Sequence, residues 1–299
     1  MTDYHQPVML KESIEGLDIK PGGIYVDATF GGGGHSREIL NHIGNGKLVA
    51  FDQDEDVLEN LPDDERLIFV QHNFRFLSNF LRYYEIEQID GLLADLGVSS
   101  HHFDIAYRGF SFRFDGPIDM RMNRQSEFSA RDLLNSYSEE QLSKIFFEYG
   151  ELNKSRHIAR QIVKYREKEA IDDTRDLVEA ISGTLPRQGQ HQFLAKLYQA
   201  IRIEVNHEID YLKQLLEQSL ECLKPGGRLV VISYHSLEDR LVKTFIKNGT
   251  FKEEQVIDLY GGKKMVFRQV NKKVIVPGEE ELKTNNRARS AKLRIAEKL

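Results

Sequence analysis

One cysteine, Cys222, stands in 299 residues. Disulfides within the chain and cysteine-based zinc centres are therefore excluded, and no metal site is predicted. No run reaches the roughly 18 apolar residues that a membrane-crossing helix needs. The first residues, Met1-Thr-Asp-Tyr-His-Gln6, lack the basic and apolar regions of a secretory signal. A basic excess is also missing, since 41 Lys and Arg face 47 Asp and Glu for a net charge of −6. Such a total does not advertise nucleic-acid binding, although a local basic patch is enough for phosphate contacts. No Gly-Lys-Ser/Thr follows the glycine-rich stretch, which excludes a Walker-type ATPase. What remains is a cytoplasmic globular chain without a membrane partner, 40% hydrophobic and 29% charged. Its length suits one large or two moderate domains.

The most informative stretch present is Ile24-Tyr-Val-Asp-Ala-Thr-Phe-Gly-Gly-Gly-Gly-His-Ser36. An apolar run ends in Asp27, four glycines follow, and a helix is predicted from Ser36 to Ile43. Strand, glycine turn and helix N-terminus in this order let a ligand lie against main-chain N–H groups. A second run, Lys47 to Phe51, ends in Asp52, 21 residues beyond Gly31. An acid at that strand tip accepts hydrogen bonds from ribose hydroxyls in doubly wound folds. Further runs lead to Asn73-Phe74 and to Asp95. Strands alternating with helices predict βαβ units and a parallel sheet whose carboxyl ends gather Asp27, Asp52, Asn73-Phe74 and Asp95.

After residue 105 the pattern changes. Tyr107 to Met122 is aromatic, basic and rich in turn formers, and from Ser129 to Asn206 helical periodicity replaces strand signals. Ser129 and Ser138 are predicted helix caps. Arg156, Arg160, Lys164 and Lys168 recur at four-residue steps on one helix face. Phe193 to Leu223 predicts a long amphipathic helix. Strand signals return with Lys224-Pro-Gly-Gly227 and Arg228 to Ser233, then a helix capped at Ser236 and candidate strands at Met265-Val-Phe267, Lys273–Val276 and Ala291–Ala296. The expected organisation is a discontinuous α/β domain, residues 1–105 and 207–299, with an all-helical insert, residues 106–206.

For the glycine turn, a dinucleotide is the first option. The pattern G-x-G-x-x-G fails, because its third glycine falls on Ser36 counting from Gly31 and on Arg37 counting from Gly32. S-adenosylmethionine fits better. It offers a ribose to Asp52, an adenine to an apolar or aromatic side chain, and a carboxylate to amides near Gly33, Gly34 and His35. Asp27 can orient the amino-acid end or the loop itself.

The blocks Thr29-Phe-Gly-Gly-Gly-Gly-His-Ser36, Asp95-Leu-Gly-Val-Ser-Ser100, Arg108-Gly-Phe-Ser-Phe112, Asp115-Gly-Pro-Ile-Asp-Met-Arg-Met122, Ser233-Tyr-His-Ser-Leu-Glu-Asp-Arg240 and Arg287-Ala-Arg-Ser-Ala-Lys-Leu-Arg294 together resemble the bacterial RsmH (MraW) family. The resemblance runs from His5-Gln-Pro-Val8 to the C-terminal strand. It implies a class I, Rossmann-like methyltransferase sheet with an inserted helical substrate-recognition domain. The implied activity is S-adenosylmethionine-dependent N4-methylation of a cytosine in the decoding region of 16S rRNA, with the small ribosomal subunit as partner. The cofactor site it implies comprises Gly33, Gly34, His35, Asp52, Phe74, Asp95 and His102, the last carried by the resemblance alone.

Asp95 is the candidate catalytic residue. Cytosine N4 is a poor nucleophile because its lone pair is delocalised, and an acceptor on an N4 hydrogen would localise that pair. DNA amino-methyltransferases place an Asp/Asn/Ser-Pro-Pro-Tyr/Phe turn after the fourth strand, but here the sequence is Asp95-Leu-Gly-Val98. Either Asp95 accepts from N4, or Asp95 serves the cofactor while a backbone carbonyl or Ser99 acts on N4. Methylation at C5 would need a cysteine nucleophile, and Cys222 precedes the Lys-Pro-Gly-Gly turn as a buried structural residue. Phe110, Phe112 and Phe114, interleaved with Arg108, Arg113 and Arg121, suit either RNA stacking or loop anchoring. Residues 282–299 hold six Lys or Arg against one Glu, another phosphate-facing candidate. Alternatives are an amino-methyltransferase on another nucleic acid, a non-catalytic ribosome-binding assembly factor and, more distantly, a dehydrogenase. The sequence leaves oligomeric state open, a homodimer included.

Overall fold

A computed structural model describes residues 7–98, 103, 105–251 and 265–299. The chain forms two compact units, Met1–Gly97 with Ile209–Leu299, and Val98–Glu208. In the first unit lie β1 (Ile24–Asp27), β2 (Lys47–Phe51), β3 (Leu67–Val70), β4 (Ile89–Asp95), β5 (Leu223–Ser233), β6 (Phe267–Gln269) and β7 (Lys292–Lys298). They pair in the order β3-β2-β1-β4-β5-β7-β6. Strands β1 to β5 are parallel, and β7 runs antiparallel to both its neighbours. The order reverses between β1 and β4, the switch point at which ligands bind in doubly wound sheets.

Side chains alternate between the two sheet faces, as the pleat requires. Tyr25, Leu48, Leu93, Val230 and Ile232 are buried in one cluster with Leu17 of α1 (Leu10–Leu17) and Ile39 and Leu40 of α2 (Gly34–His42). Their neighbours Val26, Val49, Leu92, Leu229 and Val231 are buried on the other face. There they meet α3 (Leu77–Tyr83), and α9 (Glu208–Cys222) and α10 (Ser236–Asn248) close the same layer. This two-sided burial is why the strands read as near-continuous apolar runs. Among the described residues, the remaining α-helix of this unit is the short α11 (Glu279–Thr284).

Several local expectations change. Leu223 already pairs with Ile89 and pairing resumes at Arg228 with Gly91, so Lys224–Gly227 loops out as an irregularity within β5. The cap of α10 is His235 rather than Ser236, with Glu238 completing a capping box. Of Lys273–Val276 only Ile275 pairs, in an isolated bridge to Leu293. The single long helix expected over Phe193–Leu223 is two, α8 (Gln190–Asn206) and α9. His207 adopts a left-handed φ of 52° and returns its N–H to the carbonyls of Glu204 and Ile203, which ends α8.

The second unit holds α4 (Ala130–Ser136), α5 (Glu139–Glu148), α6 (Ser155–Arg166), α7 (Thr174–Ala180) and α8 around Leu133, Leu142, Phe146, Ile158, Ile162, Leu177, Leu197 and Ile201. Ser129 and Ser138 each close a capping box, with Asp132 and Gln141. The unit begins at Val98 rather than residue 106, because Val98 and Phe103 already pack on its core. It ends after Glu208, which pairs with Arg202 at 2.8 and 2.9 Å. No helix among the described residues is long and apolar enough to cross a membrane.

Candidate functional site

The β1–α2 connection fixes the site. Gly33 is the N-cap of α2 with φ 73°, a left-handed conformation that disfavours side chains, and its N–H closes the turn on the Phe30 carbonyl at 2.8 Å. Gly34, His35 and Ser36 form the first helical turn, where the helix supplies no acceptor for their amides. Those amides and the positive end of the helix make an anion-binding surface. Asp27, at the end of β1 and 1% exposed, accepts from the Thr29 amide at 3.0 Å and the Ser36 hydroxyl at 2.7 Å. Of its two possible roles, orienting the loop is the one its contacts display.

At the tip of β2, Asp52 accepts from the amides of Gly31 (2.8 Å) and Asp54 (2.9 Å). It thus joins the second strand end to the glycine turn. Two amide donors leave lone pairs on both carboxylate oxygens for further donors, such as ribose hydroxyls. Gln53 and Asn73 hydrogen-bond at 2.9 Å and link the tips of β2 and β3. Phe74 follows Asn73 in a short 3-10 turn, half-buried against the sheet core. Its ring therefore also serves as packing.

At the end of β4 the Asp95 amide donates to Thr29 Oγ1 at 2.7 Å, which couples this strand end to the glycine turn. The Asp95 carboxylate accepts from the Gly97 amide at 3.3 Å and from the Tyr234 hydroxyl. Tyr234, just past β5, lies so close to Gly97 that a Cβ there would meet its ring at 2.8 Å.

Three acids thus share one sheet edge, and no Lys or Arg is paired with any of them among the described residues. Burial raises the carboxyl pKa of Asp27 and of Asp95, partly offset in both by the nearby His35. Burial lifts Asp52 to about 6, against the opposing effect of its amide donors. Asp27 adds repulsion that raises both Asp52 and Asp95. Desolvated acids without Lys or Arg partners favour a positively charged ligand or a donor-rich one. A sulfonium cofactor with an ammonium group and a ribose meets that demand, and the α2 amides suit its carboxylate.

Of the residues singled out from sequence, Gly33, Gly34, His35, Asp52, Phe74 and Asp95 lie at or beside this edge. Ser99 and His102 fall outside the described residues. Thr29, Ser36, Gln53 and Tyr234 carry contacts that the sequence reading left unassigned, although Thr29, Ser36 and Tyr234 stand inside its motif blocks. Cys222 is buried at the amino end of β5, the opposite edge, 3.5 Å from Ser78 Oγ, and burial raises its thiol pKa. A thiolate nucleophile for C5 chemistry has no support there.

The aromatic-basic loop divides. Phe110 is buried in the helical core, Arg108 is 2% exposed and donates to the carbonyls of Arg121 and Met122, and Arg121 is held by Asp119 at 2.6 Å. Phe112 is half-buried beside Tyr198, whereas Arg113 and Phe114 are exposed. On α6, Arg156, Arg160 and Lys164 are exposed, but Lys168 lies beyond the helix and Arg160 sits 3.4 Å from Glu139. The C-terminal cations are held within the fold in part. Lys292 and Arg294 pair with Asp239, and Lys298 donates to the carbonyls of Leu220 and Leu223.

The model of the MraW methylase family matches residues 2–299. A Flavobacterium johnsoniae protein named ribosomal RNA small subunit methyltransferase H is 57% identical over 298 residues, 99% of this chain and 98% of that one. Its namesake in Parabacteroides distasonis has the same identity and coverage. The Bacteroides thetaiotaomicron namesake is 55% identical over 296 residues, 99% of this chain and 97% of that one.

Proposed function

The chain belongs to the MraW methylase family, and from that premise we propose that it methylates N4 of a cytosine in the decoding region of 16S rRNA with S-adenosylmethionine. The observation that carries the site assignment is the meeting of Asp52, Asp95 and the first turn of α2 at one sheet edge, tied together by the Gly31–Asp52 and Thr29–Asp95 contacts. When bound, the cofactor supplies an electrophilic methyl carbon on a positively charged sulfur.

The chain's own groups do the rest. Amides of Gly34 and His35 receive the carboxylate of the methionine tail, and Asp52 receives ribose hydroxyls. Phe74 packs beside the adenine, and His102 adds a hydrogen bond. Asp95, oriented by Tyr234 and Gly97, accepts an N4 hydrogen and concentrates the nitrogen lone pair toward the methyl carbon. The carboxylate, not the carboxylic acid, must perform this step, so the raised pKa of Asp95 places an acidic limit on turnover. A target base inside a stack must first be extruded. The helical unit supplies the RNA-facing surface, with exposed Arg113, Phe114, Arg156 and Lys164 as phosphate and stacking contacts.

Mass spectrometry of 16S rRNA fragments from a strain lacking this gene tests the substrate. N4-methylcytosine is expected to vanish from the decoding region and to return with the wild-type gene. An unchanged level removes the proposed reaction. Calorimetry should find binding of S-adenosylmethionine and none of NAD; the reverse would restore a dinucleotide site.

A further inference from the structure

The His35 ring makes a contact separate from the amide that earns this residue its place in the site. It is 6% exposed, and its Nε2 lies 3.2 Å from the Val8 carbonyl, which can only accept, so Nε2 carries the proton. The next residue is held from another direction, since the Met9 amide donates to Glu281 Oε1 of α11 at 2.7 Å. Met9 has a left-handed φ of 51°, and Val8 and Met9 are buried with Leu17, Ile39 and Leu93. Pro7 rests directly on the glycine turn. A Cβ on Gly34 would meet the Pro7 ring at 2.8 Å. Residues 7–9 thus form a strap clamped at both polar atoms of the Val8–Met9 peptide group and pressed against the first residue of α2.

We propose that the His35 imidazole is a positioning residue for cofactor binding, which ties this strap to α2 and so braces the glycine turn in its binding shape. The inference rests on the reading of that turn as the subsite for the methionine carboxylate. A glycine run has many accessible backbone states, so a turn that presents amides needs an outside support to lower the ordering cost of binding. The Val8 clamp and the Pro7–Gly34 contact are that support. Leu10–Leu17 begins immediately after Met9, so the strap also carries the bracing into the layer of α1.

The experiment pairs hydrogen exchange of the apo protein with calorimetric titration of S-adenosylmethionine. His35→Ala should speed exchange of the Met9 and Ser13 amides about tenfold and weaken the cofactor about tenfold. His35→Gln, whose amide nitrogen can donate to Val8, should restore most of both. Glu281→Ala releases the same strap without touching the turn, and carries the test by the same two readouts if His35→Ala does not fold. Faster strap exchange with unchanged cofactor affinity overturns the bracing role and leaves the subsite reading intact. Gly33→Val binding the cofactor as tightly as wild type overturns the subsite reading, and the inference with it.

Discussion

The two edges of the central sheet treat charge in opposite ways. At the amino edge, Asp90 accepts from Lys224 at 2.8 Å and from the Ile24 amide at 2.8 Å, while Arg228 lies 3.1 Å from Glu297 and 3.7 Å from Asp18. Each of these four groups, Asp90, Lys224, Arg228 and Glu297, has an opposite charge beside it. At the carboxyl edge, Asp27, Asp52 and Asp95 are desolvated, Asp27 repels the other two, and amides and hydroxyls rather than Lys or Arg meet them, with His35 easing Asp27 and Asp95 in part. One sheet therefore holds a satisfied edge and an electrostatically expensive one. Acids kept costly in the ligand-free fold are available to a ligand that relieves the cost.

The sharpest break of this contrast is Asp95→Ala. Loss of the N4 acceptor should slow methyl transfer about 100-fold or more, measured by single-turnover transfer to 16S rRNA fragments. Wild-type turnover would move the catalytic role elsewhere. Asp52→Asn comes next, with cofactor affinity weakened about tenfold by calorimetry, the effect of one or two lost charge-assisted hydrogen bonds.

The same carboxyl predicts a pH response. Ribose donors favour the ionised form, so the cofactor should bind less tightly as pH falls through about 6. Affinity should drop about tenfold from pH 7 to pH 5, and Asp52→Asn should remove that part of the slope. A slope identical in the variant would acquit this group.

Stability should separate the edges by sign. Asp52 has a folded pKa above its unfolded value, so its burden is absent below the unfolded pKa and fully present above the folded one. At pH 8 Asp52→Asn should leave the apo protein as stable as wild type or more stable by about 1 kcal/mol. Asp90→Ala, which strands Lys224 and the Ile24 amide, should cost about 1–2 kcal/mol. Thermal melts of both variants side by side decide it, and equal destabilisation would dissolve the contrast. The smallest effect belongs to Cys222→Ala: transfer within about twofold of wild type, with a loss near 1 kcal/mol from a small buried void. A larger loss of transfer would reopen cysteine chemistry.

Much of the fold was legible because its signals are local. Apolar runs ending in Asp27, Asp52 and Asp95, the glycine turn and the Ser129 and Ser138 caps depend on neighbours a few residues away. The break at His207 was not legible, since α8 and α9 carry one apolar periodicity between them and only a left-handed residue parts them. Phe110, Arg108 and Arg121 had the composition of a nucleic-acid loop, yet the helical core and backbone carbonyls claim them. Side-chain type alone cannot reveal whether a carbonyl or a phosphate will satisfy an arginine.

By itself the sequence determined the strand–turn–helix device, the acids at the strand tips and the family, all of which are written in short spacings. Only the tertiary structure decided how those pieces hold one another. Thr29 reaches Asp95 across 66 residues, Glu281 holds Met9 across 272, and Tyr234 closes on Asp95 and Gly97. Contacts at such separations follow from sheet order and packing, and periodicity along the chain carries no record of them.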